Sequence, residues 1–157
     1  MFIAIKWDLF IEISLLIILI AIIIIVFSIL IVRNLRISFK DLYRSQSKFD
    51  IELRKSMNLI SKVVKDDAFE RYEKLIIKEI SFEDKKALLD LLDITYPKID
   101  STDPNNKYVI ETYENLQEIR RVLDSKVLSF NQKISLFPFN IYARILKLKG
   151  KSHYTHQ

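Results

Sequence analysis

Residues 13–32 read ISLLIILIAIIIIVFSILIV, and this stretch decides the fold. It carries no charge, no Pro and no Gly, and its only polar side chains are Ser14 and Ser28. An α-helix rises about 1.5 Å per residue, so a run of this length covers about 30 Å, the thickness of the hydrocarbon core of a bilayer. A soluble fold would have to bury such a helix on every face, and a chain of 157 residues has little material for that. The expectation is a transmembrane helix over residues 9–32, with Ile13, Leu16, Ile20, Ile24, Phe27 and Val32 inside the span. A cleaved signal peptide fits poorly. The apolar run exceeds the roughly 7–15 residues of a signal core, no small-x-small site follows it, and the flank before it is weakly basic.

Charge orients the span. Arg33, Arg36, Lys40 and Arg44 follow it, whereas Lys6 and the α-amino group precede it beside Asp8 and Glu12. The Lys/Arg bias places residues 33 onward in the cytoplasm and residues 1–8 outside. Trp7 and Phe10 stand where an interfacial aromatic anchor is expected; the plainer reading of Trp7 is a lipid-exposed apolar residue. The whole chain has 25 basic and 20 acidic residues, a mild excess that does not mark a nucleic-acid binder.

Composition removes several function classes. With no Cys there is no disulfide, thiolate metal site or cysteine nucleophile. A single Gly, Gly150, rules out the Gly-rich loops of P-loop and Rossmann sites. The lack of Gly and the three Pro residues also predict long uninterrupted helices.

Beyond the span the apolar spacing is three or four throughout, and no alternating strand pattern occurs. Phe49, Leu53, Met57, Ile60 and Val64 form one stripe. It continues through Ala68, Tyr72, Ile76 and Ile80, so one helix is expected to run unbroken from the membrane to Ser81. Asp66-Asp67 is the one candidate break. Arg54, Lys55, Lys62, Lys65 and Glu70 are placed on the outer face. Ser81-Phe82-Glu83-Asp84 resembles a capping box. A short helix follows with Leu88, Leu89 and Leu92 inward, ending at Tyr96-Pro97. Residues 97–107 are a loop of turn formers. The next helix carries Leu116, Ile119, Leu123, Val127, Phe130, Ile134 and Phe137 on its inner face and stops at Phe137-Pro138. Asn140 is expected to cap a last helix reaching Leu148, and Gly150 to end it. Residues 149–157 are expected to be a mobile basic tail. Single amphipathic helices are unstable alone, so the class is all-α, with residues 33–148 as an antiparallel bundle of three to four helices.

Arg120-Arg121-Val122-Leu123-Asp124, Val127, Phe130-Asn131, Ile134, Phe137-Pro138-Phe139-Asn140 and Ala143, in that order, resemble the signature of the LemA family. Phe49-Asp50-Ile51-Glu52-Leu53 and Leu59-Ile60 resemble that family's first helix segment, and Tyr96-Pro97-Lys98-Ile99 its Y-P-x-L turn. Where the family has Arg-Arg-His-Asp-Leu-Ile-Pro, this chain has Lys55-Ser56-Met57-Asn58-Leu59-Ile60-Ser61, so it resembles a divergent member. The resemblance implies a small bacterial membrane protein with one N-terminal span and a cytoplasmic helical bundle. It implies no defined reaction.

The candidate sites are few. His153 and His156 have i,i+3 spacing, but a structural metal site needs about four ligands, so a polar tail is the expected reading. Asp50 and Asn131, each beside an inward Phe, are a candidate buried polar pair, against the plainer reading that both face solvent or a rim. Arg120 and Arg121 are expected to pair with Glu114 and Glu118 on the helix surface, rather than to bind an acidic partner or headgroup. Arg144, Lys147, Lys149 and Lys151 flank Ile141, Ile145, Leu146 and Leu148. This short basic helix either lies on an anionic leaflet or docks on the bundle. No catalytic constellation, cofactor motif, metal site or small-molecule site stands out. The expected partners are the lipid bilayer and a protein partner or a second copy. The leading reading is a non-enzymatic interaction or scaffold module. The alternatives are an accessory subunit of a membrane protease or transporter, and an enzyme with an unrecognised carboxylate or histidine site.

Overall fold

The computed structural model describes residues 2–154, with side chains from Trp7 onward. Helix α1 runs from Phe2 to Val64 without interruption, about 95 Å at 1.5 Å per residue. A 3₁₀ turn at Asp67–Phe69 leads into α2, one turn at Glu70–Glu73. Helices α3 (Phe82–Thr95), α4 (Lys107–Ser135) and α5 (Phe139–Ile145) follow. No strand occurs among the described residues. The all-helical class and the long apolar N-terminal helix agree with the spacing in the sequence.

The two halves of α1 have opposite surroundings. Its first half, Ile13 to Leu30, is exposed apolar side chain almost throughout. Its second half places Leu42, Phe49, Leu53, Met57 and Ile60 in the main core. There α4 lies antiparallel to it. Ser56 donates to the carbonyl of Thr112 at 3.5 Å, Lys126 pairs with Asp41 at 2.9 Å, and Lys133 reaches Asn34 and Ser38 at 3.0 and 2.6 Å. Leu116, Leu123, Val127 and Phe130 of α4 and Leu88, Leu89 and Leu92 of α3 fill the rest of the core. Each fully buried aliphatic side chain of this kind is worth about 1.5–3 kcal/mol.

Four expectations are corrected. First, the helix does not reach Ser81. Lys65 takes φ 53°, and Asp66 accepts the N–H of Ala68 at 3.0 Å, so a side-chain cap competes successfully with the helix ladder. Tyr72 and Ile80 keep their expected places at the core, but Phe69 and Ile77 are buried in place of the expected Ala68 and Ile76, and those two are exposed. Arg54, expected on the outer face, turns back to donate to the carbonyls of Tyr72, Glu73 and Leu75. Second, Phe137 is 78% exposed rather than inward, because α4 ends at Ser135. Third, Asn140 lies inside α5, which Pro138 precedes, and so is not its cap. Fourth, α5 ends at Ile145 and not at Gly150. Lys147 adopts φ 54°, its N–H meets the carbonyl of Arg144, and the Leu148 N–H meets that of Ala143. This is a Schellman ending with Lys where Gly is usual.

The Ser81 start holds. Its Oγ accepts the Asp84 N–H at 3.0 Å and donates to the Asp84 carboxylate at 2.8 Å. Lys65 supplies a test of the break. A left-handed residue with a Cβ carries about 1 kcal/mol of strain. Lys65→Gly is therefore expected to raise the melting temperature of the detergent-solubilised chain, and Lys65→Val to lower it. The reverse order would mean that α1 prefers to continue.

Candidate functional site

The first candidate is the surface of α1 itself. Ile13, Leu16, Ile20, Ile24 and Phe27 are all exposed, and Val32 is half-buried. Among the described residues one helix is long and apolar enough to cross a membrane, by length and composition. Trp7, at its head, is exposed and meets Phe10 edge-on with ring centroids 6.4 Å apart. Arg33, Arg36 and Lys40 are exposed after the run.

At this junction α5 docks on α1. Ala143 is buried against Ile31 and Leu35, with Phe139, Tyr142, Leu146 and Leu148 packed around them. The hydroxyl of Tyr142 hydrogen-bonds to that of Ser28, inside the apolar run. Ile141 and Ile145 point away from this contact and remain exposed. Segments 13–40 and 125–157 hold nine of the 25 basic residues and none of the 20 acidic ones, so this end of the molecule is strongly positive. Sequence spacing marked the basic side chains of α5 but not which of its apolar residues would dock.

The second candidate is a cavity of about 340 Å³ beside the core, bordered by Phe39, Tyr43, Gln46, Lys78, Lys85 and Tyr154. On its wall Lys85 of α3 donates to Asp50 of α1 at 2.8 Å, with both side chains under a tenth exposed. Asp50 therefore pairs with Lys85 and not with Asn131. Lys85 sits in phase with Leu88, Leu89 and Leu92, so it faces inward with them. That phase was the available signal for the pair.

Asn131 instead holds the tail. Its Nδ2 donates to the carbonyl of Lys151 at 2.8 Å, and its Oδ1 accepts the Lys151 N–H at 2.9 Å. A Cβ on neighbouring Gly150 would stand 3.1 Å from that Oδ1, so a larger residue there would have to push the amide back by a few tenths of an ångström. Tyr154 then enters the core, 3% exposed, with its ring 4.5 Å from Phe49 and 4.6 Å from Phe82. Its N–H donates to Asp124 at 2.8 Å, and Gln46 donates to its hydroxyl at 3.0 Å. Residues 149–154 are thus docked, which overturns the expected mobile tail over that range. His153 is half-buried, and His156 lies outside the described residues.

A polar knot joins α3 to α4. Asp93 accepts from Tyr113 at 2.6 Å, Gln117 at 2.8 Å and Arg120 at 3.0 Å. Arg120 therefore pairs across helices rather than with Glu114 or Glu118 on its own. Arg121 is exposed. Tyr96 stacks on Tyr113 at 3.9 Å, Pro97 is exposed in the 3₁₀ turn after α3, and Leu53 is fully buried. Pro138 and Asn140 are half-buried, and Oδ1 of Asn140 has no hydrogen-bond partner among the described residues. No group of three or more His, Asp or Glu suited to a metal occurs among the described residues.

Burial pushes the Tyr154 phenol up to about 12, against the hydrogen bond donated by Gln46, which favours the phenolate and lowers it. Burial first, and then donation to Asp93, raises Tyr113 as well. Unfolded phenols ionise near 10, so above that pH the native chain binds more protons than the unfolded one and stability falls as pH rises. The contribution is complete below pH about 10 and is lost through the folded-state values. Melting temperature is expected to hold steady to that pH and then drop, with a shallower drop in Tyr154→Phe. Equal slopes for both proteins would count against the burial of that hydroxyl.

No family model, curated protein or solved structure matches this chain.

Proposed function

We propose that this protein is a single-pass membrane-anchored helical bundle of the LemA type, with a short N-terminus outside and the bundle on the cytoplasmic face of a bacterial membrane. It serves there as a non-enzymatic interaction or scaffold module. The observation that carries this reading is the continuity of α1 from Phe2 to Val64. One rigid rod supplies both the exposed apolar half and the Phe49–Leu53–Met57–Ile60 core stripe, so the bundle has no hinge at which to turn relative to the anchor. The orientation is supported by the acid-free basic segments at the junction, as the positive-inside rule requires. The LemA-type assignment rests on the order of its motif residues along the sequence, from Asp50 and Leu53 through Tyr96-Pro97, Arg121 and Asn131 to Phe137-Pro138-Phe139-Asn140.

The chain has no Cys, so single cysteines report topology without a background. In intact cells a membrane-impermeant maleimide is expected to label Asp8→Cys, and to label Lys48→Cys only after permeabilisation. The opposite pattern overturns the orientation. Release of the protein by alkaline carbonate overturns the anchor. Crosslinking in native membranes then identifies what the bundle presents its surface to.

A further inference from the structure

Antiparallel helices keep a fixed register, and here it can be followed to the end of α4. Lys126 meets Asp41, Phe130 meets Phe39 with ring centroids 6.0 Å apart, and Lys133 meets Asn34. Continued by one more turn, this register brings Leu136 and Phe137 level with Ile31. That is the last turn of the apolar run, which ends at Val32. The chain then turns and α5 packs back along α1, with Tyr142 on Ser28 and Ala143 between Ile31 and Leu35. Ser28 lies four residues inside the run, about 6 Å along the axis. That depth matches the roughly 5–10 Å to which interfacial amphipathic helices sink into the headgroup and acyl boundary.

The outward side chains at this level are the wrong kind for water. Leu136 is 62% exposed, Phe137 78%, Ile141 49% and Ile145 69%. Beside them Arg33, Arg36, Arg144, Lys147 and Lys149 are also exposed. An apolar patch on a bundle end would by itself fit a protein partner. Here α5 is packed on Ile31 and Leu35 of the apolar helix, and the exposed charges of the two segments 13–40 and 125–157 are all basic, with no acid in either. A surface of that composition complements an anionic leaflet.

We propose that the α4–α5 turn and α5 form an interfacial wedge. Leu136, Phe137, Ile141 and Ile145 enter the cytoplasmic leaflet beside the span, and Arg33, Arg36, Arg144, Lys147 and Lys149 meet its anionic headgroups. This rests on the membrane-span reading above. The wedge makes a second attachment, fixing the tilt and the height of the bundle over the bilayer. It also explains how α5 both docks and binds lipid: its inner residues face α1 and its outer residues face the leaflet.

Trp7 is the only tryptophan, so a Trp7→Phe background permits single reporters in the full chain reconstituted in vesicles. Ile20→Trp reports the span, Phe137→Trp and Ile145→Trp report the wedge, and Ile51→Trp, exposed on the far part of α1, reports water. In vesicles of phosphatidylcholine with phosphatidylglycerol, the wedge reporters are expected to emit to the blue of Ile51→Trp. They should lose emission to lipids brominated near the headgroup end of the acyl chain and resist acrylamide. The shift should shrink in phosphatidylcholine alone. Wedge reporters that behave like Ile51→Trp overturn the wedge, provided that Ile20→Trp is still quenched by chain-end bromines. If Ile20→Trp escapes those lipids, the span reading itself fails. Shielding of Phe137→Trp from both lipid bromines and acrylamide, lost on dilution into excess lipid, assigns the face to a second copy and overturns the wedge. Identical behaviour with and without phosphatidylglycerol removes the headgroup contacts.

Discussion

Asp50→Ala is expected to destabilise the folded chain by about 3–5 kcal/mol, the usual cost of leaving one member of a buried ion pair without its partner. Lys85 has only 7% of its side chain exposed and donates to Asp50 at 2.8 Å. Without that carboxylate the ammonium is held beside Leu88 and Leu89, two fully buried neighbours in the core. Its alternative is to drag α3 away from α1 toward water. Lys85→Ala should cost a comparable amount by stranding Asp50. The double replacement Asp50→Leu with Lys85→Met should recover most of the loss, because apolar groups of similar volume need neither partner nor water. Urea unfolding of the full chain in detergent, followed by far-ultraviolet circular dichroism, measures all four proteins. Single replacements that each cost less than about 1 kcal/mol, the range of an exposed ion pair, would show that the pair is solvated through the adjoining cavity.

Tyr154→Ala should have a similar effect, about 3–5 kcal/mol, as expected for emptying a large aromatic from a core. The ring lies against Phe49 and Phe82, and its removal leaves a void among three helices. Ending the chain at Leu148 removes this ring together with the Asn131 clamp and the N–H that meets Asp124. It should cost at least as much as the point change. Two milder variants divide the effect. Tyr154→Phe keeps the ring and loses the Gln46 hydrogen bond, for about 1 kcal/mol. Asn131→Ala frees the backbone of Lys151, for about 1–3 kcal/mol. Protease sensitivity confined to the C-terminal residues should rise in step. A chain that melts unchanged without residues 149–157 would restore the picture of a loose tail.

These two results bear on where the sequence was legible. The apolar run, the stripes of α3 and α4, and the Ser81 start are statements about neighbours three or four residues apart, and they survive in the structure. The break at Lys65 was visible only as a candidate. Neither Gly nor Pro marks it; an Asp side chain and a strained Lys do. Phe137 misled because the periodic pattern ran two residues past the end of α4, and spacing alone does not register where a ladder stops. Asp50 and Asn131 were both recognised as polar residues beside inward aromatics. Spacing offered their pairing only as one candidate beside a solvent-facing reading; each in fact meets another segment, at Lys85 and Lys151.

The sequence by itself determined that this chain is helical, that its first helix is apolar enough to span a bilayer, and which face of α3 and α4 turns inward. Those properties are set by composition and by the 3.6-residue period, both local. Tertiary structure alone decided that Asp50 meets Lys85, that Arg120 meets Asp93 and that Tyr154 closes the core. It also decided that α5 lies against Ile31 and Leu35 with Ile141 and Ile145 turned outward. Each of these joins residues some 27 to 110 positions apart, and such a pairing exists only once the register of one helix on another has been fixed by packing. A short amphipathic helix has an apolar side wherever it lies. What covers that side depends on the surfaces that the rest of the chain brings to it.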